Sequence, residues 1–190
     1  FDEGEAGWKE EYRELKVLLT DEEYAMARAS TLNAYYTPDA VIRAIYDVIG
    51  EMGFGGGRIL EPSLGTGKFF GMLPEKMRKS KLYGAELDSL TGRIAKKLYP
   101  KADIEIAGFE ETSYPDDFFD IAVGNVPFGG YKVTDSQYDK YNFLIHDYFL
   151  AKAIDKVRAG GIVAMVTTNG MGGGTLDKKD SRARRYFAER

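Results

Sequence analysis

Asn125-Val126-Pro127-Phe128 is the stretch of this chain whose residue types and order could do chemistry. The Asn125 side-chain carbonyl and the Val126 main-chain carbonyl are two acceptors side by side. An amino group on an aromatic ring is a poor nucleophile, because its lone pair is delocalised into the ring. Two acceptors on its two hydrogens draw that nitrogen toward a tetrahedral geometry. Pro127 stiffens the loop. Phe128 offers a face on which a planar base, flipped out of a duplex, could stack. The plain alternative is an ordinary turn closing a strand.

A second candidate site precedes it. Leu60-Glu61-Pro62-Ser63-Leu64-Gly65-Thr66-Gly67 lies between a short strand and a helix. A phosphate-binding P-loop needs Gly-x-x-x-x-Gly-Lys-Ser/Thr; Gly67-Lys68 fits, but Pro62 and Phe69 do not. The dinucleotide pattern needs a third glycine where Phe70 stands. A carboxylate ahead of the turn, Glu61, suits a ligand ammonium group and repels phosphate. Glu86 closes the next strand 25 residues on, where an acid hydrogen-bonds ribose hydroxyls. Leu87 follows it, and Asp88 reads as a helix N-cap. After the third strand, Phe109 in Gly108-Phe109 either stacks on an adenine ring or fills the core.

Strands and helices in alternation must hold these residues. The spacing predicts strands at 58–60, 81–85, 103–107, 119–123 and 161–167. It predicts helices at 68–78, 88–98, 143–157 and 176–190. Ahead of them, Thr37 reads as an N-cap and Pro38 as the first helical residue. Val41, Ile42, Ile45, Val48, Ile49 and Met52 form one apolar face, and Gly55-Gly56-Gly57 ends that helix. The fold class is α/β: a doubly wound, mostly parallel sheet covered on both faces. Residues 1–30 read as a helical arm, with Tyr12, Leu15, Leu18 and Leu19 on one stripe, and residues 31–190 as the core.

Composition narrows the functions. With 190 residues the chain can bury a real core. It has no cysteine, so disulfides, thiolate zinc and a cysteine nucleophile are excluded. Methylation of cytosine at C5, which needs a thiolate, falls with them. No His, Asp and Glu cluster has metal spacing, so no metal is expected. The run Ile162–Val166 is far too short to span a membrane, and a cytoplasmic location is expected. The net charge is −4, and residues 1–30 hold nine acids against four bases. The remainder is nearly neutral, which permits DNA binding without arguing for it. His146, alone of its kind, reads as structural; Asp116-Asp117 reads as a solvated loop. A start at Phe1 reads as that of an excised piece.

Taken in order, Ala34-Tyr35-Tyr36-Thr37-Pro38, Glu61 to Gly67, Glu86-Leu87, Gly108-Phe109 and Asn125 to Phe128 resemble the catalytic domain of gamma-order N6-adenine DNA methyltransferases of the N-6 DNA methylase kind. The resemblance covers about residues 31–175 and implies a Rossmann-like fold that binds S-adenosyl-L-methionine. By that resemblance Tyr36, Thr37, Pro38 and Glu61 hold the methionine end, with Ser63, Gly65, Thr66 and Gly67 in the turn. Glu86 and Leu87 flank the ribose, and Phe109 lies against the adenine. Asn125, Val126, Pro127 and Phe128 are the catalytic loop. The implied partners are duplex DNA with a flipped adenine and further domains of a larger protein. The chain is most similar to methylase domains within large methylase–helicase proteins of mobile elements, in a restriction–modification setting.

Two positions depart from the family pattern. Val126 replaces the first proline of Asn-Pro-Pro-Tyr/Phe, which keeps the backbone carbonyl. Gly108 stands where the family often has an acid that reads the cofactor's amino group. The fold's last two strands are expected beyond this chain. The same loop also occurs in methyltransferases that act on a protein glutamine or an RNA base, and a non-catalytic binding module is a further alternative.

Overall fold

Short apolar runs closed by acidic or glycine turns build five strands: β1 (Arg58–Glu61), β2 (Lys81–Ala85), β3 (Asp103–Glu105), β4 (Phe119–Asn125) and β5 (Val157–Val166). They form one sheet in the order β3-β2-β1-β4-β5, with every neighbouring pair parallel. The computed structural model describes residues 6–33, 36–167 and 182–190. From β1 the chain steps outward to β2 and β3, then returns to lay β4 on the other side of β1. The strand order therefore reverses between β1 and β4, the place where such sheets bind ligands. Glu61 is the last residue of β1 and Asn125 the last of β4.

Alternation along the central strands feeds two cores. Ile59, Ile121 and Val123 face α3 (Asp39–Glu51) and α4 (Lys68–Gly71), packing with Ile42, Tyr46, Ile49 and Phe69. Leu60 and Ala122 face the other way, toward Phe109, Tyr148, Phe149 and Ala153. The last three belong to α6 (Ile145–Lys156); α5 (Ser89–Leu98) covers the β2–β3 side, and α7 (Arg182–Ala188) packs on α6.

Several elements differ from the sequence expectation. Thr37 does not cap α3 with its side chain; the N-cap position is Pro38, and no side chain caps the helix. Tyr46 joins the buried face of α3, whereas Val41, Val48 and Met52 are exposed. They lie on the flank of that stripe, where helical spacing alone could not separate the two sides. The helix ends at Gly53 (φ +94), not at Gly55-Gly56-Gly57: Phe54 N donates to Ile49 O across it. The helix expected over 68–78 stops at Gly71, and only a 3₁₀ turn, Glu75–Met77, follows Pro74.

The third strand is short. β5 begins directly after α6 at Val157, and Arg158–Gly161 form an irregularity between two stretches of pairing with β4. Asp116 and Asp117 lie exposed in a loop, as expected, and Asp116 also accepts from Lys156 Nζ at 2.6 Å. Residues 34, 35 and 176–181 lie outside the described residues.

The arm forms α1 (Lys9–Leu18) and α2 (Asp21–Asn33). Thr20 and Glu23 make a reciprocal capping box: Glu23 N donates to Thr20 Oγ1 at 3.2 Å, and Thr20 N to Glu23 Oε2 at 3.0 Å. Glu23 also pairs with Arg93 of α5. α1 buries no residue, so the expected Tyr12–Leu19 stripe does not form a core.

Candidate functional site

A cavity of about 680 Å³ opens at the carboxyl ends of the strands. Glu61 forms its floor. The residue is 2% exposed, and among the described residues its Oε2 has no hydrogen-bond partner. Burial pushes its carboxyl well above the usual glutamate range, and the nearby Glu86 charge adds to the shift. A buried acid without a donor is costly unless a ligand supplies one. Gly124 in β4 makes room for it: a Cβ there would lie 3.3 Å from Glu61 Cγ.

The glycine turn follows. Gly65 has φ +58, and no atom lies within 4 Å of where its Cβ would stand, so its backbone faces open space. Its N–H donates to Glu86 Oε2 at 2.7 Å, and Asp88 N donates to Glu86 Oε1 at 2.8 Å. Glu86 thereby locks the turn to the tip of β2; burial raises its pKa, against these two bonds. Asp88 caps α5, accepting from Thr91 N at 2.6 Å. Ser63 Oγ donates to Asn125 O at 2.5 Å, which joins the tips of β1 and β4.

The loop after β4 closes the other side. Val126 is buried, and its N–H donates to Val166 O at 3.1 Å. That bond fixes the direction in which the chain leaves the sheet. Pro127 and Phe128 are half-buried and line the wall with Asn125. Tyr131 O accepts from Ile145 N at 3.0 Å, tying the loop to the start of α6.

Most of the residues expected from sequence meet in this one cavity. Tyr36, Thr37, Glu61, Ser63, Gly65 and Thr66 line it, as do Glu86, Leu87 and Phe109. Pro38 and Gly67 do not. Gly67 has φ +80, a Cβ there would overlap the Tyr99 ring, and Tyr99 Oη donates to its carbonyl at 2.7 Å. The second glycine of the turn therefore answers to packing. Phe109 lines the cavity yet is only 1% exposed, with Phe149 at 5.2 Å between ring centroids.

Sequence reasoning passed over Lys68, Glu110, Tyr131 and Lys152. Lys68 Nζ donates to Thr37 O at 2.8 Å and pairs with Asp39 at 2.9 Å, so it holds the Tyr36-Thr37 segment over the cavity. Its signal, Gly67-Lys68, was visible but pointed to the P-loop. Lys152 is buried under Phe109, paired with Asp135 at 3.0 Å and donating to Glu110 O at 3.2 Å. Burial is the largest influence on it and lowers its pKa. His146 is 3% exposed and not in the cavity wall, and neither ring nitrogen has a hydrogen-bond partner among the described residues.

The N-6 DNA Methylase family model matches residues 17–184. The chain belongs to that family. It is 32% identical over 161 residues to Defense against restriction protein B of Escherichia phage P1, covering 78% of this chain and 7% of that protein. It is 30% identical over 119 residues to Modification methylase CviBIII of Paramecium bursaria Chlorella virus NC1A, covering 60% of this chain and 31% of the relative. The chain thus spans less than a third of the length of either. A crystal structure of the modification subunit assigned to a type I restriction enzyme of Vibrio vulnificus YJ016 shares the fold. Its TM-score is 0.62 at 22% identity, over 96% of this chain and 41% of that one. Among the described residues no three acidic, His or Cys side chains group as a metal site, and no helix is long and apolar enough to cross a membrane.

Proposed function

We propose that this chain is the catalytic core of a methyltransferase that moves the methyl group of S-adenosyl-L-methionine to the N6 amino group of adenine in DNA. The observation that carries the reading is a pair of strand tips. Glu61 and Asn125 end adjacent strands at the point of strand-order reversal and line one cavity. The unpartnered Glu61 carboxylate fits the ammonium of a methionine moiety. Glu86, already fixed by two backbone donors, keeps lone pairs for ribose hydroxyls. The cofactor supplies an electrophilic methyl group when bound.

Asn125 and Val126 accept the two hydrogens of the target amine, and the Ser63–Asn125 and Val126–Val166 bonds hold that loop in place. Phe128 stacks on the flipped base. Membership of the DNA methylase family supports adenine as the target. Residues 1–30 act as a packing arm and 31–190 as the core, working with further domains in the cytoplasm.

Two measurements test this. Calorimetry with S-adenosylhomocysteine should give one site per chain; no heat at millimolar ligand from folded protein sinks the reading. In the longest protein that carries this chain, Asn125→Ala should leave that affinity nearly unchanged. It should lower methylation by about two to three orders of magnitude, the scale of one preorganised polar group. Mass spectrometry of digested DNA should show N6-methyladenine. Full activity in Asn125→Ala would move the site elsewhere.

A further inference from the structure

The geometry points to Lys152 as a positioning residue that couples the adenine end of the cofactor cavity to the loop after β4 that takes the target base; this rests on the cofactor reading above. Two segments that serve different ligands meet at its ammonium. One is the turn Phe109–Glu111 after β3. It lies beyond Glu61 and Glu86 in the order of the sheet, and so faces the far end of a cofactor held by those two acids. The other is the stretch 126–142, whose first residues take the target base and whose Tyr131 and Val133 also line the cavity.

Lys152 Nζ donates to Glu110 O at 3.2 Å and to Asp135 Oδ2 at 3.0 Å, and it lies 5.1 Å from the centre of the Phe109 ring. Asp135 is the knot of the loop. Its carboxylate also accepts from Tyr148 Oη at 2.8 Å and Gln137 N at 3.1 Å, and its main-chain carbonyl accepts from Tyr138 N and Asp139 N. Tyr148 and Lys152 stand one turn apart on α6, so both reach Asp135 from the same face. Lys152 is only 4% exposed. A buried ammonium that leaves either acceptor loses a hydrogen bond that water does not replace. The two segments are therefore held at a fixed separation, and a ligand that presses on Phe109 is felt at Asp135. An apolar side chain of similar length would fill the same space but release the segments from each other.

Limited trypsin digestion of the whole chain tests this through the exposed Lys132 and Lys140 of the loop, read by mass spectrometry of the fragments. Two ligands are compared at saturation: S-adenosylhomocysteine, and S-ribosylhomocysteine, which lacks the base and cannot touch Phe109. The first should slow cleavage at these sites by about fivefold or more, the lower end of ordinary coupling between sites, and the second by less than about twofold. Lys152→Met should bind S-adenosylhomocysteine about tenfold more weakly and lose the protection even at saturation. Lys152→Met combined with Asp135→Asn, which removes the stranded charge, should lose it too. Protection that persists in Lys152→Met shows that the ligand covers the loop directly, and overturns the inference. Protection restored in the double variant traces the loss to the stranded charge, and overturns it as well. So does equal protection of the native chain by the two ligands, a comparison that needs no variant to fold or bind. A native chain that binds S-adenosylhomocysteine without protection overturns the inference and leaves the cofactor reading standing; one that binds neither ligand overturns both.

Discussion

Glu61 couples stability, proton and ligand at one atom. Its folded-state pKa lies well above the ordinary glutamate value of 4.5, chiefly because it is buried. Below pH 4.5 both folded and unfolded chains carry the proton, and the residue has no ionisation penalty. As pH rises toward the folded pKa, the unfolded chain ionises first, so the folded state binds more protons and loses stability. Above the folded pKa the full penalty stands. Glu61→Gln should therefore raise the unfolding free energy at pH 8 by about 1–3 kcal/mol, the cost of one buried unsatisfied group. The gain should vanish toward pH 4. The same variant should lose most affinity for S-adenosylhomocysteine. In the native chain, affinity should fall with falling pH and binding should release a proton, read as a buffer-dependent heat. A stabilisation independent of pH would show that the carboxyl has the same pKa in the folded and unfolded chains.

At the scale of the element, the Gly65–Gly67 turn divides its labour. Gly67 sits at φ +80 against Tyr99, whereas Gly65 sits at φ +58 facing open space. Gly67→Ala forces a left-handed side chain into an aromatic ring, so it should cost about 1–3 kcal/mol of stability. Gly65→Ala should cost less in the denaturation midpoint and more in ligand affinity, because its methyl meets no protein atom and Gly65 lines the cavity. Equal effects of the two in both measurements would contradict the division. Lys68, the first residue of α4, extends the element outward by holding Thr37 O and Asp39. The short α4 thus carries both the turn's exit and the clamp on the segment before α3.

Over the whole molecule, stability is concentrated around the sheet and thins toward the amino terminus. α1 buries nothing; an edge contact of Tyr12 with Tyr24 and the exposed Lys16–Asp21 pair tie it to α2. Exposed pairs of this kind contribute little. At the other end, Asp155 of α6 accepts from Tyr138 Oη at 2.8 Å and Arg190 Nε at 2.8 Å, and also from Tyr186 of α7. Deleting residues 1–19 should therefore change stability by no more than about 0.5 kcal/mol, or about 1–2 °C in midpoint. S-adenosylhomocysteine affinity should be unaffected. A large loss of either would place the arm within the core.

Local pattern was enough to read the alternation of strands and helices, the parallel sheet and the polar tips at Glu61, Glu86 and Asn125. These features depend on period, turn chemistry and chain order, which are properties of neighbours in sequence. Asp88 as the cap of α5 is of the same kind. Tertiary packing decided the rest. Tyr46 rather than Val48 is buried because of where α3 rests on β1, and helical spacing does not contain that angle. Gly67 looks like Gly65 in the sequence; only Tyr99, 32 residues away, separates their roles. Contacts between residues distant in sequence form only when the chain closes, so no local pattern encodes them.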